Sequence, residues 1–233
     1  MSDADHNPVE NLFQSGRVLK YKKGETLLRA FEEPRGVYLL EHGYVKVYAL
    51  SKEGNENLHI IYRPGEIFPT LWVFQHVMHG VFYEALTPVE VKLLSNEQFL
   101  ERINSNITNT QAVIGQLIER VRIYASRIDN LEYNNSHQRV AYRLLAYLNR
   151  FGRHEAEGWV IDIPLRHQQI ASSLSMTRET AGRALERLQK KGIISYSKGS
   201  HLVVRDLDAL ARIIGIDEVC AAWPNLRSEL KRK

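Results

Sequence analysis

From Val18 to about Leu94 the apolar positions fall in short runs cut by turn residues. Gly24, the Pro34–Gly36 stretch, Gly43, Gly54, Pro64-Gly65, Pro69 and Gly80 separate segments such as GVYLLEHG, YVKVYAL and LHIIY. Tyr44 to Tyr48 alternates around Lys46 as a half-buried strand does, and Lys52-Glu-Gly-Asn suits a hairpin turn. Many short strands at this spacing predict a sandwich or barrel, with no comparable length of helix inside the segment.

After Ser95 the period changes. Ile107, Ile114, Leu117, Val121, Tyr124, Ile128 and Leu131 recur at alternating steps of three and four after an initial seven, leaving Thr110 as the gap. This is an a/d seam of a long helix. Such a stripe packs either on its own domain or on a partner helix, and its narrowness favours the partner. A two-fold dimer is the expected assembly. Gln116, Glu119, Arg120, Arg122 and Arg127 lie off the seam and are expected to face water.

Glu132 to Asn135 breaks the pattern, and Ser136 is the expected N-cap of a helix from His137 to about Asn149. Val140, Leu144, Leu145 and Leu148 form its apolar face, and Gly152 is expected to close it. Trp159 to Pro164 reads as a strand. A short helix, Leu165–Leu174, then meets a turn at Ser175-Met176. Thr177 is placed to cap the next helix, Arg178–Lys191, which buries Ala181, Ala184, Leu185 and Leu188 and ends at Gly192. Ile193–Tyr196 and His201–Val204 form a hairpin. Two short helices, a turn and a hairpin are the parts of a winged helix-turn-helix. Asp206–Ile213 reads as one more short helix, followed by a tail expected to pack through Val219, Ala222 and Trp223.

Charge sharpens this division. The net +4 of the 233 residues is uninformative, but residues 135–233 hold 17 Lys and Arg against 10 Asp and Glu, whereas residues 1–134 hold 14 against 17. Eight basic and two acidic residues lie between Pro164 and Arg205. A polyanion is therefore a candidate partner of the C-terminal part, and together with the winged helix-turn-helix the expected partner is double-stranded DNA. Arg178, Glu179 and Arg183 sit at about 0°, 100° and 140° around their helix. They share an outward N-terminal face. Arginine can bond guanine O6 and N7, and a carboxylate can accept from cytosine N4. Glu179 also suits the positive end of the helix dipole, and exposed arginines also serve as solvated surface.

Other classes are excluded or weakened. The single cysteine, Cys220, permits no internal disulfide and no cysteine-based cluster. No window approaches 18 consecutive apolar residues, and MSDADHNPVENLF is not a signal sequence, so no membrane association is expected and the simplest address is the cytoplasm. No nucleophile–base–orienter set, metal-ligand motif or Gly-rich phosphate loop occurs, so an enzyme is not expected. The remaining competitor is a regulatory module that acts on a partner protein, which leaves the winged helix unexplained.

The stretch QQIASSLSMTRETAGR, Gln168 to Arg183, with its continuation LERLQKKGIIS, closely resembles the helix-turn-helix of the CRP/FNR regulators. The resemblance covers roughly residues 15–213 and is strongest over 164–196. It departs at Ser175, where the family usually has glycine. It implies an α+β fold: an N-terminal β-roll (a cyclic-nucleotide-binding-like jelly roll, 1–106), a long dimerisation helix (107–134), a C-terminal winged helix-turn-helix (135–216) and a tail (217–233). It further implies that Arg178, Glu179 and Arg183 read a TGTGA-like half-site, that His167, Gln168, Thr177 and Lys198 touch phosphates, and that RNA polymerase is a possible partner.

At the sensor end Lys23-Gly-Glu-Thr resembles the family's opening turn, and Gly65-Glu-Ile-Phe68 resembles the start of its phosphate-binding cassette. Cyclic-nucleotide binders continue with a ribose-binding glutamate and a phosphate-pairing arginine. Here no Arg or Lys occurs between Arg63 and Lys92, so cyclic AMP is not the expected effector. Phe68, Leu71, Trp72 and Phe82, with Phe74 and Tyr83, either line a pocket for an unidentified apolar effector or fill the space of a nucleotide. No cofactor is required. His76 and His79 are the candidates for a haem ligand, with two surface loop histidines as the plain alternative.

Overall fold

A computed structural model of the chain describes residues 8–77, 80–133, 135–197, 199, 201–216, 223 and 226. The chain divides into two compact units, Met1–Tyr124 and Ala125–Lys233.

The first unit is a roll of two four-stranded antiparallel sheets. The strands are β1 (Arg17–Tyr21), β2 (Thr26–Leu28), β3 (Val37–His42), β4 (Val45–Leu50), β5 (Glu56–Tyr62), β6 (Ile67–Phe68), β7 (Phe82–Ala85) and β8 (Val89–Leu94). One sheet has the order β1-β8-β3-β6 and the other β2-β7-β4-β5. Strand β3 accounts for the continuous apolar run of GVYLLEHG. Its Tyr38 and Leu40 enter the core between the sheets, while Val37 and Leu39 face a second core under the helices. A strand covered on both faces loses the alternation of a half-wet one.

That second core is closed by α1 (Pro8–Leu12), α2 (Thr70–Gln75), α3 (Asn96–Ser105) and the first part of α4 (Ile107–Asp129). Helix α3 opens on a capping box in which the Ser95 hydroxyl accepts from the Gln98 amide and the Gln98 side chain accepts from the Ser95 amide. Helix α2 corrects the expectation of no helix between Val18 and Leu94. It is six residues long, follows Pro69 and has no side-chain cap, so no start signal marks it. The division of the chain falls inside α4, after Tyr124.

The second unit begins with the end of α4 and a 3₁₀ turn, Asn130–Glu132. Then follow α5 (Ser136–Phe151), β9 (Gly152–Glu155), β10 (Gly158–Ile161), α6 (His167–Ser173), α7 (Arg178–Lys190), β11 (Ile194–Tyr196), β12 (Leu202–Val204) and α8 (Leu207–Arg212). The four strands form one antiparallel sheet in the order β11-β12-β10-β9.

One helix end differs from expectation and another is closed as expected. The N-cap of α5 is Asn135, whose side chain accepts from the Gln138 amide at 2.9 Å, and Ser136 is the first helical residue. Gly152 closes α5 in an extended conformation and passes directly into β9, which pairs with β10. By contrast Gly192 takes φ +71° after α7, as a C′ glycine does. Of the tail residues expected to pack, Val219 and Ala222 lie outside the described residues. Trp223 is buried, its ring edge-on to Tyr142 with centroids 5.6 Å apart.

Candidate nucleic-acid interface and effector cavity

Helix α6 packs on α7, and α7 on α5, with Ile170, Ala171, Leu174, Ala181, Ala184, Leu185 and Leu188 all buried. The turn between them passes through Ser175 at φ +50°, the left-handed region in which glycine is strain-free. This explains why a small residue belongs there. Thr177 caps α7, its hydroxyl accepting from the Thr180 amide at 3.1 Å.

With its apolar face buried, α7 turns Arg178, Glu179 and Arg183 to solvent. Arg183 Nη2 and Glu179 Oε1 lie 3.2 Å apart, with side chains 70% and 76% exposed. An exposed i,i+4 pair of this kind is worth about 0.3–0.5 kcal/mol. It orients both groups and is easily exchanged for a base edge. Gln168 and Thr177 are exposed on the same two-helix unit, whereas His167 is half-buried with Nε2 3.1 Å from the Tyr196 hydroxyl of the hairpin. Lys198 lies outside the described residues.

Two supports were not expected from sequence. Arg139 donates to the carbonyl of Leu174 at 2.5 Å, and Arg143 to that of Ser173 at 3.3 Å. Both anchor the C-terminal end of α6, where free carbonyls and the negative dipole end favour a cation. Burial lowers the Arg143 guanidinium from its ordinary value. The available signal was their i,i+4 spacing beside the apolar stripe of α5.

In α4 the predicted seam residues are largely exposed: Ile107 at 70%, Val121 at 67% and Ile128 at 66%, with Ile114 and Tyr124 also exposed and Leu117 half-buried. Leu131 is exposed beyond the helix, in the 3₁₀ turn. Ile118, off the seam in sequence, is exposed beside Ile114 and widens the stripe.

The opposite side of α4 overturns the expectation that Gln116 and Arg120 face water. Gln116 accepts from the amide of Ile67 at 3.0 Å and donates to the carbonyl of Gly65 at 2.7 Å, so it grips the backbone of the Gly65–Phe68 segment. Arg120 is buried, with Nη1 2.7 Å from Thr70 Oγ1 and Nη2 3.1 Å from the Ile67 carbonyl. Its guanidinium lies 4.7 Å from the centre of the Tyr62 ring. The cation missing between Arg63 and Lys92 is thus supplied by α4, 50 residues from Thr70.

Beside Arg120 is a cavity of about 550 Å³ within the first unit, walled by β4, β5, α2, β7 and α4. Of the four residues expected there, Leu71 alone lines it. Phe68 is wholly buried and stacked between Tyr38 and Tyr83. Trp72 belongs to the core under the helices, and Phe82 stacks on Tyr48. Aromatic residues of this stretch therefore fill core, and the space remains open between β5 and α4. Burial pushes the Tyr83 phenol, on the cavity wall, well above its ordinary value. His76 ends α2 with its ring edge-on to Trp72, and His79 lies outside the described residues.

Comparison with known proteins gives this arrangement relatives. The family model for Crp-like helix-turn-helix domains matches residues 138–213, and that for cyclic nucleotide-binding domains matches residues 18–106. The chain is 28% identical over 183 residues to the global nitrogen regulator of Nostoc sp., covering 78% of this chain and 82% of the relative. FixK2 from Bradyrhizobium japonicum has the same fold with a TM-score of 0.73 at 22% identity, over 85% of this chain and 96% of that one. A CooA mutant from Carboxydothermus hydrogenoformans aligns with a TM-score of 0.75 at 22% identity, over 92% and 98%. A cyclic-nucleotide-binding roll followed by a Crp-type helix-turn-helix defines the chain: it belongs to the CRP/FNR family of transcription regulators.

Proposed function

We propose that the chain is a homodimeric, sequence-specific DNA-binding regulator whose two α7 helices read an inverted repeat of TGTGA-like half-sites. The observation that carries the reading is the α7 N-terminal face. Arg178, Glu179 and Arg183 stand exposed and adjacent on a capped, firmly packed helix. A carboxylate among arginines repels phosphate, so this trio suits a base pair better than a backbone. Gln168, Thr177 and His167 take the flanking phosphates, and Lys198 of the wing does the same.

Dimerisation through α4 is supported by its exposed stripe, since apolar side chains at this spacing favour a partner helix. The effector acts at the roll and biases a pre-existing equilibrium between DNA-binding and non-binding forms. Its direct readers are Gln116 and Arg120, which tie α4 to the Gly65–Thr70 segment. RNA polymerase is the partner such a regulator needs to act on transcription, and the cytoplasm is where it meets DNA. No helix among the described residues is long and apolar enough to cross a membrane.

A binding titration tests the base-reading role. Arg178→Ala weakens binding to a matched inverted repeat by about 1–3 kcal/mol while leaving binding to random duplex unchanged. Equal losses on both would reduce Arg178 to a phosphate contact.

A further inference from the structure

We infer that the cavity beside α4 takes a small organic monoanion, a carboxylate carried on an apolar or aromatic body, with Arg120 as its counter-charge. The inference rests on the reading of the roll as a sensor and names the chemical class of its effector.

Arg120 is a buried charge without a counter-ion among the described residues. Arg120 is 91% buried, yet its two hydrogen bonds go to a hydroxyl and a carbonyl, and no ion pair among the described residues includes it. Guanidinium carries five N–H donors, so three remain for a further acceptor. A buried charge is ordinarily paired, because desolvation without compensation is costly. Among the described residues no carboxylate lines the cavity, and Arg120 is the one permanently charged group that does. Thr70 stands against the guanidinium and offers a second polar contact to a head group.

The rest of the wall sets the body of the ligand. Val47, Ile60, Val81 and Leu117 are aliphatic, and the rings of Tyr62, Tyr83 and Tyr124 provide stacking surface. A volume of about 550 Å³ lies within the range of small-molecule sites. Sugar hydroxyls would find no carboxylate among these lining residues. A neutral apolar molecule would leave Arg120 with the Tyr62 ring and two neutral acceptors but no counter-ion. An amphipathic acid satisfies both ends.

The position of the cation also links occupancy to the rest of the molecule. Arg120 stands on α4, and Leu117, Val121 and Tyr124 belong both to the cavity wall and to the apolar stripe. A bound acid would therefore engage the same helix that carries the proposed dimer contact.

Calorimetric titration of the full-length chain without DNA tests the inference, using indole-3-acetate and decanoate, their neutral primary amides, and cyclic AMP. At least one acid should bind roughly tenfold or more tightly than its amide, and Arg120→Gln should remove that preference. Arg120→Lys should retain part of it, and Val81→Trp should block the acid by filling the cavity while leaving the charge in place. Should Arg120→Gln fail to fold, the acid–amide contrast and Val81→Trp decide. No acid binding, equal binding of acid and amide, full binding by Arg120→Gln, or tighter binding of cyclic AMP would overturn the inference. DNA binding is read separately. Specific DNA binding without acid binding sinks the effector class alone, and acid binding without specific DNA binding sinks the regulator reading alone.

Discussion

Single residues at the helix-turn-helix show how local conformation is stabilised by tertiary contacts. Ser175 holds φ +50° in the turn, a region that costs an L-residue with a side chain about 1 kcal/mol or more. Ser175→Gly is therefore expected to raise unfolding stability by about 1 kcal/mol, less the extra freedom glycine has when unfolded. Urea denaturation reads the difference, and a loss of stability would contradict the strain. His137, at the start of α5, is expected to make stability depend on pH. Burial first, then the charges of Arg187 and Lys191, hold its imidazole below the ordinary value of 6.5. The folded chain resists a proton that the unfolded chain accepts, so stability present above about pH 6.5 falls on acidification. His137→Leu should lose less stability than wild type between neutral pH and mildly acidic pH. An identical loss would assign the effect to other groups.

At the scale of elements, α4 has two unlike sides. Ile107, Ile114, Ile118, Val121 and Ile128 are exposed and apolar, whereas Gln116 and Arg120 are polar and bonded to the roll. Ile114→Glu combined with Val121→Glu should convert a dimer to a monomer in sedimentation velocity, because like charges then meet across the seam. A dimer that survives both changes would move the interface elsewhere. This helix also marks where sequence reading succeeds and fails. The apolar stripe is legible because its period is internal to the helix. The burial of Arg120 is not, because only the tertiary position of the roll decides which polar side chains stay wet. Helix α7 was legible throughout: its cap, apolar period, closing glycine and exposed face all lie within 16 residues, Thr177 to Gly192. Helix α2 was hidden by its shortness and missing cap, and β9 by the polar sequence of GRHE. The aromatic stretch from Phe68 to Tyr83 signalled burial correctly, but composition cannot tell a packed ring such as Phe68 from a cavity wall such as Leu71.

For the whole molecule, the distribution of charge and cavity follows the division of labour. The basic excess lies in the unit that carries α6, α7 and the hairpin, and the apolar cavity with its single buried arginine lies in the roll. The central claim is that paired α7 helices read sequence. Selection of duplexes from a randomised library by the full-length chain tests it most directly. The account predicts enrichment of an inverted repeat whose half-site centres lie one helical turn, about 34 Å, apart. It also predicts that Arg178→Ala loses preference at one base pair in each half. Failure to enrich any motif, or enrichment of a lone half-site without its inverted partner, would contradict it.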